Sequence, residues 1–189
     1  MRGFVAGVIV TLICVIGGVY AYFAEGFAPV ATASQAMPFE RKLAHMALNA
    51  RVHEEMPKAV PIETSEANYL AGAHEYLMDC AVCHGTREKE KTPIARGEFP
   101  APPQLLKGKG VTDDPPGETY WKVAYGIRLT GMPSFDKSLS ETQIWQVSLM
   151  LANADKLPAS VNAVLEGQPE AAKATTSAVG DQPHAIAPR

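Results

Sequence analysis

Cysteine is scarce in this sequence: Cys14, Cys80 and Cys83 are the three among 189 residues. That excludes the disulfide-dense framework with which small extracellular domains make up for a thin core. An excess of one charge is missing too, since 17 basic side chains face 20 acidic ones. No basic footprint for nucleic acid exists, so DNA and RNA are excluded as partners. A second cysteine pair and a His-x-x-x-His are both absent, which leaves a structural zinc site short of donors. Charge disappears altogether from Phe4 to Phe23, and a run of that length reaches the ~30 Å of a bilayer core.

What is present is Cys80-Ala81-Val82-Cys83-His84. Two thiols and an imidazole in this order have the C-x-x-C-H spacing of a c-type haem attachment site. Cysteines three apart on a helical turn can each bond one side arm of a porphyrin, and the following histidine then lies under the iron as proximal ligand. A thioredoxin-like redox pair has the same C-x-x-C but needs a βαβ setting, and the flanks here read as helix. With two cysteines assigned to one haem, only Cys14 is left, so no intramolecular disulfide is expected. Ile13 occupies the place where a lipoprotein site needs a small residue, and Cys14 reads as a small apolar member of the first run.

That run predicts a transmembrane helix within residues 1–24, ending in the belt-forming Tyr20, Tyr22 and Phe23. A cleaved signal peptide competes, with Ala31-Thr32-Ala33 or Ala33 to Ala36 as cleavage site, although signal h-regions are shorter, usually about 7–15 residues. Arg2 on the short side and Glu25 on the long side put the N-terminus in the cytoplasm and the rest outside. Residues 25–63 read as a stalk, interrupted from Pro38 to about Met56 by a short amphipathic helix carrying Leu43, Met46, Ala47, Ala50 and Val52. Its His45 and His53 have no second C-x-x-C-H to accompany them and read as polar-face residues.

A folded domain is expected over residues 64–158. Thr64 or Ser65 can cap a helix from Glu66 to about Cys83, in which Gly72 and Tyr76 share a face and call for a crossing helix. The stretch Phe99-Pro100-Ala101-Pro102-Pro103-Gln104-Leu105 cannot be helical through its prolines. It predicts a loop whose Pro103 carbonyl accepts the N–H of the far ring nitrogen of His84; purely structural prolines are the alternative. A helix from Glu118 to about Ile127 follows, then Leu129-Thr130-Gly131-Met132-Pro133. Methionine sulfur is a soft donor, so Met132, in a loop, is the candidate sixth ligand to an iron already held by His84; core filler is the other use of methionine. Ser140 and Gln143 form a capping box for a last helix, whose Trp145 and Leu149 are the expected partners of Gly72 and Tyr76. Pro158 ends it, and the composition of residues 159–189 reads as a disordered tail.

Together these parts resemble a class I monohaem cytochrome c of the membrane-anchored bacterial kind. The resemblance runs from about Glu66 to Leu157 and is carried by Gly72, Tyr76, Cys80-x-x-Cys83-His84-Gly85, the Pro103 loop, Gly126, Gly131-Met132-Pro133 and Trp145. It implies an all-α haem domain behind a single transmembrane helix, with one covalently attached haem c, His84 and Met132 as iron ligands, and no catalysis by the domain alone. The implied activity is electron transfer on the periplasmic side of a bacterial cytoplasmic membrane. Partners would be redox proteins, namely a quinol-oxidising complex, a dehydrogenase or an oxidase. Two other readings stay open: the cytochrome subunit of a periplasmic dehydrogenase or terminal oxidase, and a haem-based gas sensor.

Overall fold

Hydrophobic spacing and helix caps divide the chain into helices. The computed structural model describes residues 1–89 and 91–167, and among these there is no β-strand. Helix α1, Arg2–Ala24, has a window of mean hydropathy 2.4 with none of it buried. It is long and apolar enough to cross a membrane, a test that signal sequences also pass. Helix α2, Glu40–Glu55, buries only Val52. Its C-terminal end leaves the stalk and docks on the folded domain, where Trp121 Nε1 donates to Glu55 Oε2 at 3.1 Å and the Pro57 carbonyl fills the space a Cβ on Gly117 would need.

Ser65 caps α3, Glu66–Glu75, by accepting from the Asn68 N–H at 3.3 Å. The expected helix to Cys83 is not uniform. Tyr76–Cys80 forms a π turn in which the Ala81 N–H reaches the Tyr76 carbonyl five residues back, and α4, Ala81–His84, follows. Such one-turn widenings insert a residue and often mark functional sites. Helix α5 is the short Pro93–Arg96, and α6 is Pro116–Tyr125, beginning two residues before the expected Glu118 because proline is preorganised for the first helical turn. Helix α7, Glu141–Ala152, carries the expected capping box: Ser140 Oγ accepts from the Gln143 N–H at 3.3 Å, and Gln143 Oε1 from the Ser140 N–H at 3.0 Å.

Helices α3 and α7 cross at Gly72, where the Gln146 carbonyl and Met150 Cβ occupy the space a side chain would take. At Gly72 itself the nearest groups are thus Gln146 and Met150 rather than the expected Trp145 and Leu149; Trp145 stacks on Tyr120 with ring centroids 4.3 Å apart, and Leu149 joins the same core as Tyr76. Gln143 Nε2 to Glu75 Oε1 at 2.6 Å and Gln146 Nε2 to Asn68 Oδ1 at 3.0 Å tie the two helices along their edges. Tyr69, Ala73, Tyr76, Val147, Met150 and Leu151 join Val123 and Ala124 of α6 in one core.

The expected tail needs correction at its start. Residues 159–165 form α8, Ala159–Leu165, which packs on α3. Val161, Val164 and Leu165 recur at helical spacing and are all buried, so this short stretch has enough apolar surface to fold. Of the expected tail, residues 168–189 lie outside the described residues.

Candidate haem-binding site

The site starts where α3 gives way to the π turn. Tyr76, fully buried, donates its hydroxyl to the Gly85 carbonyl at 2.7 Å, which fixes the residue just after the motif to the core. Burial raises the tyrosine pKa, so the hydroxyl remains a donor. Beyond the motif, Arg87 donates to the Ala154 carbonyl after α7, and Thr92 Oγ1 donates to the Val82 carbonyl at 2.8 Å. The motif is thereby held from both flanks.

Within it, Cys80 and Cys83 are free thiols, both partly accessible. Burial pushes the Cys80 thiol up to about 12, helped by the negative charges of Asp79 and Glu75. Burial also raises Cys83, whose Sγ–H donates to Glu98 Oε1 at 3.4 Å. His84 is buried, with 8% exposure, and its Nδ1 lies 2.8 Å from the Pro103 carbonyl. Because the carbonyl can only accept, Nδ1 carries the proton, and the neutral ring presents Nε2 as a lone pair. Burial, as the largest influence, lowers the His84 pKa and favours that neutral form, against the opposing effect of the Pro103 hydrogen bond.

Met132 sits in a loop clamped to the end of α6. Gly126 ends that helix at φ +67, and a side chain there would strike the backbone of residues 132–134. The Ile127 N–H donates to the Met132 carbonyl at 3.2 Å, while those of Phe135 and Asp136 donate to Val123 and Ala124. Thr130 Oγ1 accepts from the Met132 N–H at 3.1 Å and donates to the Ile127 carbonyl at 2.7 Å. The resulting turn is tight enough to hold Leu129 at φ +60 and 92% exposed. Met132 itself is half-buried against the core.

Glu98 joins the two halves. One carboxylate oxygen takes the Cys83 thiol, and the other lies where a Cβ on Gly131 would be, so the residue before Met132 meets the motif across a single side chain. The structure thus brings Cys80, Cys83, His84, Pro103 and the Met132 loop into one region. These residues fit a haem c: two free thiols, a neutral imidazole whose Nδ1 is already engaged, and a thioether in a fixed loop. Cys80 and Cys83 could bond its side arms, and His84 Nε2 and Met132 Sδ could bind its iron. Among the described residues, no three His, Cys, Asp or Glu side chains gather to hold a bare metal ion.

Sequence reasoning left three contributors unnamed. Thr130 was findable, as a threonine two residues before a loop methionine can brace the turn. Glu98 and the hydroxyl role of Tyr76 have no local sequence signal, because their partners lie in other segments.

Residues 67–149, a little under half of the chain, match the family described as cytochrome C oxidase, cbb3-type, subunit III. This segment is a c-type cytochrome domain, and haem c is the group that such a domain implies. Among solved structures, a chain titled as part of the Kuenenia stuttgartiensis reducing HAO-like protein complex is similar at 27% identity and a TM-score of 0.44, over 51% of this chain and 47% of that one. The present chain thus spans about half the length of that relative. No curated protein matches the chain.

Proposed function

We propose that the protein is a membrane-tethered electron carrier with one haem c, bonded through Cys80 and Cys83 and ligated by His84 and Met132. The observation that carries this reading is the His84 ring, buried and aimed by the Pro103 carbonyl at 2.8 Å so that only Nε2 is free. The haem supplies a one-electron couple between ferric and ferrous iron, which His/Met ligation sets at a fairly high potential. Pro103 holds the imidazole orientation through both states and raises its basicity. Thr130 and Ile127 hold the Met132 backbone, so the thioether needs little rearrangement when the charge changes. With His84 and Met132 both ligating, a bound haem would offer a substrate no place at its metal, which would suit transport rather than catalysis. Helix α1 supports an uncleaved anchor with the domain on the periplasmic side, by its length, its aromatic end and Arg2. The partners are then redox proteins in or at that membrane.

A second reading, the haem subunit of a terminal oxidase, is favoured by the family description of residues 67–149. A stable membrane complex co-purifying with the full chain would support it. The test of the site itself is an absorbance spectrum of the haem-matured protein, oxidised, reduced and under carbon monoxide, beside Met132→Ala. The wild type is expected to be low-spin, with a sulfur-to-iron band, and indifferent to carbon monoxide; the variant should lose that band and bind the gas. A wild type that binds carbon monoxide readily would overturn Met132 ligation and favour a gas sensor.

A further inference from the structure

Helix α2 is apolar on two opposite sides, and only one of them is used. Leu48 and Val52, with Glu55 one turn on, face the haem domain: Leu48 is half-buried, Val52 is 2% exposed, and Glu55 accepts from Trp121. Phe39, Leu43, Met46 and Ala50 follow one another at four, three and four residues, which is one face of a helix. Val52 comes nine residues after Leu43, so at ~100° per residue this second face lies about half a turn away from the docked one. It is bare: Phe39 is 72% exposed, Leu43 57% and Met46 60%. Phe39 holds its ring outward from a left-handed backbone, φ +65, where a bulky residue is an outlier.

The junction to α1 says what this face meets. Residues 25–38 do not run out as an extended stalk. The Phe27 N–H returns to the Tyr22 carbonyl at 3.1 Å, the two rings stack at 6.5 Å, and Ala28 is buried. Tyr22, the residues from Gly26 to Val30, and Met37 and Pro38 line one concavity, so the junction closes on itself beside the end of α1 and leads directly into α2. Glu40 closes the turn by accepting from the Met37 N–H at 2.8 Å. Phe27 and Val30, at 72% and 94% exposure, extend the bare surface toward Tyr22 and Phe23. Exposed apolar side chains thus run along the chain from the aromatic end of α1 through this compact junction to the bare face of α2.

We propose that the Phe39–Leu43–Met46 face of α2 lies in the lipid interface of the membrane that α1 spans, with the haem domain seated on the opposite face. Helix α2 is then a pedestal of 16 residues, about 24 Å long, that fixes the distance and orientation of the haem domain over the bilayer. The proposal rests on α1 being a retained anchor, and the test separates the two.

The full haem-matured chain is reconstituted into phosphatidylcholine vesicles with one nitroxide label per sample. The label is on native Cys14, on Leu43→Cys or Met46→Cys in a Cys14→Ser background, or on Lys137→Cys as an exposed site of the haem domain. Collisions with oxygen, enriched in lipid, and with a water-soluble nickel chelate are measured by electron paramagnetic resonance. The expected result is that positions 43 and 46 resemble Cys14, severalfold richer in oxygen than in nickel collisions relative to position 137. Nickel access at 43 and 46 with a lipid-like Cys14 overturns the pedestal and leaves the anchor standing. Shielding of 43 and 46 from both reagents overturns it in favour of a protein covering the face. Nickel access at Cys14 overturns the anchor and the pedestal together.

Discussion

His84 closes a helix, is 8% exposed, and has its ring bonded to a carbonyl 19 residues further on. Met132 rides a half-exposed loop whose order comes from hydrogen bonds within its own turn and to the end of α6. One proposed ligand is therefore part of the cooperative core, through Tyr76, α3 and α7, whereas the other is an attachment to it. A ligand of the first kind moves only if the domain unfolds. The second kind can be displaced by local opening, at a free energy well below that of global unfolding. That asymmetry suits the electron carrier proposed above, which would have to keep its haem but could tolerate a sixth ligand that breathes.

The largest expected effect falls on the core that both sides share. In Gly72→Val the new side chain meets the Gln146 carbonyl, which as helix backbone cannot step aside. Forcing α3 and α7 apart should cost about 3 kcal/mol, at the upper end of overpacking. Denaturant unfolding of the haem-matured protein would measure it. A loss below about 0.5 kcal/mol, the range of surface substitutions, would mean that the crossing is not what holds the site.

The next two substitutions separate the sides. Tyr76→Phe removes the hydroxyl that satisfies the Gly85 carbonyl in a buried position. About 1–2 kcal/mol of stability should go, while the iron stays closed to carbon monoxide. Thr130→Val keeps the shape of the Met132 loop but deletes both of its Oγ1 hydrogen bonds. Its cost should be nearer 1 kcal/mol, because the groups involved are partly exposed, yet carbon monoxide should now displace Met132. If Tyr76→Phe opened the iron and Thr130→Val did not, the two sides would be reversed.

The contrast also explains what the sequence made visible. Cys80, Cys83 and His84 are legible because haem attachment needs a fixed local spacing. The capping box at Ser140 and Gln143, and the loop around Met132, are legible for the same reason, as their partners are neighbours in the chain. The π turn at Tyr76–Cys80 leaves no such trace, since an apolar repeat that tolerates one extra residue reads as an unbroken helix. Helix α8 was hidden by its length: three large apolar residues in seven, set in a tail of alanine, proline and threonine, do not stand out until α3 is there to cover them. The two faces of α2 average to weak amphipathicity along the sequence. Which of them faces protein depends on Trp121 and Gly117, some 60 residues away and more.

The smallest effect expected is a gain. Leu129 stands in the left-handed region at φ +60 with 92% of its surface exposed, so it contributes strain to the Met132 loop and almost no packing. A left-handed conformation costs a side-chain-bearing residue roughly 1–2 kcal/mol that glycine does not lose. Glycine gives back roughly 0.5–1 kcal/mol through the greater freedom of its unfolded chain. Leu129→Gly should therefore stabilise the protein by about 0.5–1 kcal/mol in thermal unfolding, with the low-spin spectrum unchanged. No strain of this kind lies between residues 66 and 84, so a residue there offers no equivalent gain. A stability that falls in Leu129→Gly would show that the exposed leucine makes a contact in solution, and that the methionine side is held by more than its own turn.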